Sequence, residues 1–204
     1  MKIFVLSFGL FFNTLHFAQL QIQLLWQEKS FELDQSNALN DSLQIQVSEF
    51  KFYLQGQERN LQNYYYLIDA SDKGSLTLTE KLNACQVGLS PTIQISSEFT
   101  GALDPINGMY WAWNTGFISV KCVGELVNIH TKRLQHFEFH LGGYQAPFAC
   151  FYPLTNIGTA LQIHLDQWFK QIFQDKQYTT QIMRPCSEGT EIFNLFVSTI
   201  SHAP

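Results

Sequence analysis

Residues 43–54 constrain the fold before any other stretch does. Leu43, Ile45 and Val47 alternate with Gln44, Gln46 and Ser48, and Phe50, Phe52 and Leu54 then continue an alternation. An apolar period of two puts one set of side chains on each face of a strand, with one face covered. Tyr64-Tyr65-Tyr66-Leu67-Ile68 is a second dense apolar run, and Leu76 and Leu78 alternate with Thr77 and Thr79. Turn chemistry separates these segments at Gln55-Gly56-Gln57, at residues 69–74 and at Asp104-Pro105-Ile106-Asn107-Gly108. Strands at such spacing predict a mainly β chain, a sandwich or barrel. We expect an antiparallel β-sandwich, Ig-like or jelly-roll-like.

The last third changes period. Leu165, Trp168, Phe169, Ile172 and Phe173 recur on one helical face. Asp166 is placed to cap that helix or to favour its positive end. A second helix is expected from near Ser187, with Ile192, Phe193, Phe196 and Ile200 as its apolar stripe; Arg184-Pro185 blocks helical continuation from upstream. The sandwich therefore carries two short C-terminal helices. A chain of 204 residues fits one ordinary domain.

Aromatic residues make up 15% of the chain and charged residues only 14%, a balance that supports a real core and excludes general disorder. The net charge is −5 and no basic run exceeds Lys132-Arg133, which argues against a nucleic-acid partner. Lys2, the apolar stretch Ile3 to Phe12 and Ala18-Gln19 have the order of a secretory signal peptide over residues 1–18. The mature domain is then 19–204, periplasmic or secreted. A buried N-terminal strand is the alternative. The apolar run is too short to span a bilayer, and no stable membrane insertion is expected. Cys85, Cys122, Cys150 and Cys186 permit two disulfides in three pairings and form no CxxC. Cys122, in an apolar strand, also suits a simple buried thiol.

Two stretches bear chemistry. Gly101 to Phe117 reads GALDPINGMYWAWNTGF, and period two would point Trp111 and Trp113 to the same face of a strand. Such a pair fills a core, shelters a metal, or is oxidised to a ring-opened aryl amine and ketone. In His136 to Leu141, alternation turns Phe137, Phe139 and Leu141 inward and leaves His136, Glu138 and His140 on the other face. Next-but-one side chains stand roughly 6.5–7 Å apart at the backbone, a gap that two ligands of one ion can bridge. Imidazole suits copper and zinc, and Glu138 can orient a histidine. The alternative is the wet face of an edge strand. His164 reads as a core or capping histidine, His130 and His202 as loop and tail. Gly142-Gly143 marks a bulge or a close backbone approach. GxSxG, HExxH, Walker and dinucleotide-loop patterns are absent, so no enzyme is expected.

Several of these segments together resemble one family. GALDPINGMYWAWNTGFISVKCVGE and HFEFHLGGY at 136–144 look like the motifs of the MbnP-like copper-binding domain family. Asp41 to Ile45 with Phe50 to Leu54, Tyr65 to Asp69 with Ser75-Leu76, and Ile163 to Asp166 with Phe169 resemble its other segments in order. The resemblance implies an exported β-sandwich that holds copper. The ligands it implies are histidines and a kynurenine made from a tryptophan, here Trp111 or Trp113, oxidised by a di-haem partner enzyme. His140 matches the histidine of the FxFHxGGY motif, and His136 is the second candidate metal ligand on spacing. Relatives often carry a first-strand histidine, whereas Leu24 to Phe31 contains none here. Two functions are therefore expected to compete: a metal-handling, copper-binding protein, and a β-sandwich interaction or structural module that has lost the copper site.

Overall fold

The computed structural model describes residues 19–56, 65–79, 82, 84–91, 100–175 and 178–203. The expected leader, residues 1–18, lies outside them. Among the described residues the chain forms two sheets packed face to face. The smaller joins β1 (Leu20–Trp26), β2 (Lys29–Ser30), β6 (Thr77–Leu78), β12 (Ala160–His164) and β14 (Ile200–Ala203) in the order β14-β12-β1-β2, with β6 alongside β1. The larger contains β3 (Ser36–Ala38), β4 (Leu43–Gly56), β5 (Tyr65–Asp69), β7 (Ala84–Val87) and β8 (Tyr110–Ala112). Its remaining strands are β9 (Gly116–Asn128), β10 (Leu134–Gly142), β11 (Tyr152–Thr155) and β13 (Gln181–Ile182). Its central path is β11-β7-β4-β9-β10-β13. The expected sandwich is borne out. Most pairings are antiparallel, but β1 pairs β12 and β10 pairs β13 in parallel. Parallel partners need long crossovers, so no turn signal in the sequence announces them.

The apolar positions of β4 change from odd to even numbers because the strand carries a bulge. Its register with β9 shifts between Val47 and Glu49, and the extra residue, Ser48, donates to the Val123 carbonyl at 3.2 Å. One inserted residue restores both halves to the same buried face. Ile45, Val47, Phe50 and Phe52 are all buried as a result.

Among the described residues, two helices pack in the common core against both sheets. Helix α1 (Leu165–Lys170) runs into a π-helical turn, Gln171–Asp175, and α2 spans Ser187–Ser198. Trp168 is the hub: its ring lies 5.1 Å from both Phe169 and Phe196, and its Nε1 donates to the Ile192 carbonyl at 3.1 Å. Phe169 touches Trp26 of the small sheet at 6.0 Å and Phe137 of the large sheet at 5.7 Å. Asp166 does not cap α1; it sits in the first turn, 3.6 Å from Lys170 Nζ. Helix α2 stops at Ser198, so Ile200 opens β14 opposite Ile163 instead of extending the helical stripe. Leu76 and Leu78 also differ from expectation. Lys73–Leu76 is a 3-10 turn capped by Asp72, which leaves β6 only two residues. Its turn signals, clustered at residues 69–74, outweigh the short alternation. Cys85, Cys122 and Cys150 are buried, Cys186 is half-buried, and all four are free thiols. Among the described residues, no helix is long and apolar enough to cross a membrane.

The Gly142-Gly143 pair marks the expected close approach. The β9–β10 register shifts between Leu141 and Gly142, and Gly143 has φ +107°. A Cβ on Gly142 would meet the Phe117 carbonyl oxygen and lie 2.8 Å from Ile118 Cα, both backbone atoms that cannot swing away. Gly142→Ala is expected to destabilise the fold by about 1–3 kcal/mol in urea unfolding, as overpacking does. A loss under about 0.5 kcal/mol, typical of an open surface site, would show that the strands are not so closely apposed.

Candidate functional site

Strand β10 presents the candidate histidines as alternation predicts. Phe137, Phe139 and Leu141 are fully buried in the main core. His136, Glu138 and His140 therefore lie on the outer face of the large sheet, where Glu138 stands between the two imidazoles. Its Oε1 is 3.0 Å from His140 Nε2, and its Oε2 is 3.9 Å from His136 Nε2. The two rings differ in shelter: the His140 side chain is 10% exposed, that of His136 47%.

The shelter over His140 comes from the tryptophan loop. Gly101–Leu103 and Pro105–Asn107 are 3-10 turns; the Asp104 carboxylate accepts from the Ile106 amide, and Gly108 ends the second turn at φ 71°. Asn107 Nδ2 donates to the Gly101 and Ala102 carbonyls, and the Tyr53 hydroxyl, from the outer face of β4, donates to the Ala102 carbonyl at 2.8 Å. Tyr53, Leu89, Leu103, Met109, Phe117 and Ile118 then form a second, smaller core outside the sheet. Trp111 packs at its rim, with its ring 6.4 Å from the His140 ring and tilted by 39°.

The two tryptophans do not share a face. Strand β8 ends at Ala112, and Trp113 falls in the following turn, where Thr115 N donates to the Ala112 carbonyl. Trp113 is 82% exposed, while Trp111 is half-buried and its Nε1 is covered. A period of two predicts a common face only while the strand continues. Of the four candidate residues, the fold thus brings Trp111 and His140 together, keeps His136 on the far side of Glu138, and leaves Trp113 in solvent.

Polar atoms at this junction are incompletely satisfied. Among the described residues, Trp111 Nε1 and both His140 ring nitrogens are buried without a well-directed hydrogen bond. The Glu138 carboxylate is near His140 Nε2 but off the direction in which a ring N–H donates. An orphaned buried donor or acceptor costs about 1–3 kcal/mol, so His140 Nδ1 and Trp111 Nε1 at one spot need a reason.

Sequence reasoning missed the charges beside them. His140 stands opposite Lys121 of β9, Lys121 opposite Lys51 of β4, and Lys51 opposite Asp69 of β5. Glu49 joins the two lysines, at 2.9 Å from Lys121 Nζ and 3.2 Å from Lys51 Nζ, and Lys51 also reaches Asp69 at 3.3 Å. Burial opposes ionisation of Glu49, but the two ammonium groups outweigh it and hold its pKa below the ordinary value. Asp69 is likewise held low, its partial burial outweighed by Ser71 and Lys51. Each residue could be read from sequence as outward-facing, but only strand pairing puts them in one row.

Among the described residues no group of three or more His, Cys, Asp or Glu side chains is arranged to hold a metal. The expected first-strand segment is the β1–β2 hairpin of the other sheet, and its Trp26 is committed to the core against Phe31 and Phe169. A metal held at His140 would therefore have few donors: the imidazole, the Glu138 carboxylate and a group made from Trp111. An intact indole offers only an N–H and does not ligate.

Comparison with protein families decides the ancestry of this arrangement. The model of the MbnP family matches residues 15–184, most of the chain, including the tryptophan loop and all of β10. The chain belongs to the MbnP family. No curated protein and no solved structure shows significant similarity to it. The MbnP match ends before α2 and β14, yet Phe193 and Phe196 of α2 pack in the same core, and β14 pairs with β12.

Burial lowers the pKa of His140 below 6.5, and Lys121 adds to that, against the opposing pull of Glu138 and Glu49. The unfolded chain then binds a proton more readily than the folded one below about pH 6.5. Stability contributed by the neutral ring is present above that pH and is lost as pH falls towards the folded value. Urea unfolding from about pH 7 to about pH 5 should show decreasing stability, with a shallower decrease in His140→Gln. Equal slopes would place His140 in a solvated setting.

Proposed function

We propose that this member of the MbnP family is an exported copper-handling protein whose site is the junction of His140 and Trp111. The observation that carries the reading is the sheltered His140 ring beside Trp111, with His140 Nδ1 and Trp111 Nε1 buried without a hydrogen bond, within the family-matched segment. Burial keeps the imidazole neutral, so a ring nitrogen keeps its lone pair for a metal. Glu138 orients the ring, and Trp111 excludes water from it. His136, exposed and beyond Glu138, is an auxiliary donor at most.

Few borderline ligands in a sheltered site favour Cu(I) over harder divalent ions. Trp111, being the ring beside His140, is also the tryptophan whose conversion to kynurenine would complete the site. That conversion takes oxygen into the indole and releases one carbon. We assign the oxidation to an external oxidising enzyme of the di-haem type that the family resemblance implies. Bound copper would supply a soft, redox-active ion held for transfer or storage. The residues of this chain bind, orient and shield it, and we propose binding, not catalysis, as the activity.

A second reading has its own support. No first-strand histidine is present and no three-ligand group is found among the described residues, as expected of a family member kept as an interaction or structural module. Competition titration with Cu(I) and Cu(II) separates the two. Cu(I) is expected to bind more tightly than Cu(II), and His140→Ala to weaken Cu(I) binding at least about tenfold, or 1.4 kcal/mol, with a smaller effect for His136→Ala. Binding unchanged in His140→Ala would favour the module. Intact mass of protein from its native host tests the modification. One oxygen gained and one carbon lost, mapped to Trp111, supports it; an unaltered Trp111 rejects it.

A further inference from the structure

Cys150 and Cys186 lie far apart in sequence but on segments that touch in the fold. Cys150 is anchored by its backbone to the large sheet. Its N–H donates to the Gly143 carbonyl at 3.2 Å, and its carbonyl accepts from Ser119 Oγ at 2.6 Å. Cys186 caps α2, its sulfur accepting from the Gly189 amide at 3.3 Å. Thr190 of the same first turn donates to the Cys186 carbonyl at 3.1 Å. Gly143, whose carbonyl holds the Cys150 backbone, also packs against Pro185, the residue before Cys186.

The segments bearing them also wall one cleft. Gly143, Phe148, Arg184 and Pro185 line an open cavity of about 200 Å³ beneath the Asn114-Thr115 turn of the tryptophan loop. Gly143 is the contact point: a Cβ there would lie 2.9 Å from Pro185 Cγ, so its lack of a side chain lets the two segments close on each other. Phe148 and Pro185 of that lining flank the two cysteines in sequence, and Cys186 itself is half-buried. Cys85 and Cys122 are fully buried elsewhere in the core.

We propose that Cys150 and Cys186 form a disulfide when the folded chain meets a small-molecule or protein disulfide. The half-buried Cys186 thiolate attacks the oxidant RSSR, forms a mixed disulfide and expels one RS⁻. The Cys150 thiolate then attacks the Cys186 sulfur, forms the Cys150–Cys186 bond and expels the second RS⁻. Two thiols of the chain are oxidised, one external disulfide is reduced, and the two protons pass to the released thiols. Cys150 is buried and Cys186 half-buried, so the external disulfide meets Cys186 first and the mixed disulfide forms there. The bond would staple α2 to the sheet end that carries the tryptophan loop. It does not depend on metal binding.

The test exposes the folded full chain to oxidised glutathione, quenches with acid, and labels free thiols with N-ethylmaleimide in denaturant. Reduced protein should take four labels and oxidised protein two, with Cys150 and Cys186 in one cross-linked peptide and a higher Tm. Early samples should carry glutathione on Cys186. Cys150→Ser should stop at that adduct, and Cys186→Ser should give neither adduct nor cross-link. Four labels after prolonged oxidation, a link to Cys85 or Cys122, or a wild-type glutathione adduct that is never displaced would each overturn the proposal.

Discussion

The side-chain alternation of β10 is the constraint on which the site depends. Phe137, Phe139 and Leu141 are held against Phe169, Trp168 and Phe173 by the main core. Burial of side chains this size is worth roughly 1.5–3 kcal/mol each, so register cannot slip without losing several such terms. A slip of one residue would drive Glu138 and His140 into that core and expose the phenylalanines. The core between the sheets thus fixes the direction of a histidine that points away from it. The position of His140 is a consequence of packing on the other face of its own strand.

An outward histidine on an ordinary sheet would be solvated. Here the tryptophan loop folds back over the sheet end and builds a second apolar cluster around Tyr53, Met109 and Phe117. That cluster brings Trp111 over His140 and lowers the local dielectric. Two opposing effects then set the charge state of the ring. Desolvation and Lys121 favour the neutral form, and Glu138 with Glu49 favours the protonated one. The lysines are themselves neutralised by Glu49 and Asp69, so the row of charges is internally balanced.

Much of this fold was legible in the sequence, for identifiable reasons. Period-two alternation placed Phe137, Phe139, His136, Glu138 and His140 on their correct faces, and the change of phase in β4 recorded the bulge at Ser48. Asp104-Pro105-Ile106-Asn107-Gly108 formed its turn because each residue suits its position there. The failures share a cause: they depend on where an element ends or which distant strand it meets. Trp113 left the strand one residue too early to face with Trp111, and Ile200 passed from helix to β14. The His140–Lys121–Lys51–Asp69 row and the parallel partners of β1 and β10 arise from non-local pairing, which no local pattern encodes.

The central claim is that the sheltered, neutral imidazole of His140 is a metal ligand. ¹⁵N NMR of the histidine rings during stepwise addition of Cu(I) tests it directly, since Cu(I) is diamagnetic and each ring nitrogen reports its own partner. The account predicts that one His140 nitrogen shifts and saturates with the first equivalent, while His130 and His202 stay unchanged. A His140 ring that does not respond while copper is taken up elsewhere, or a chain that takes up none, would contradict it.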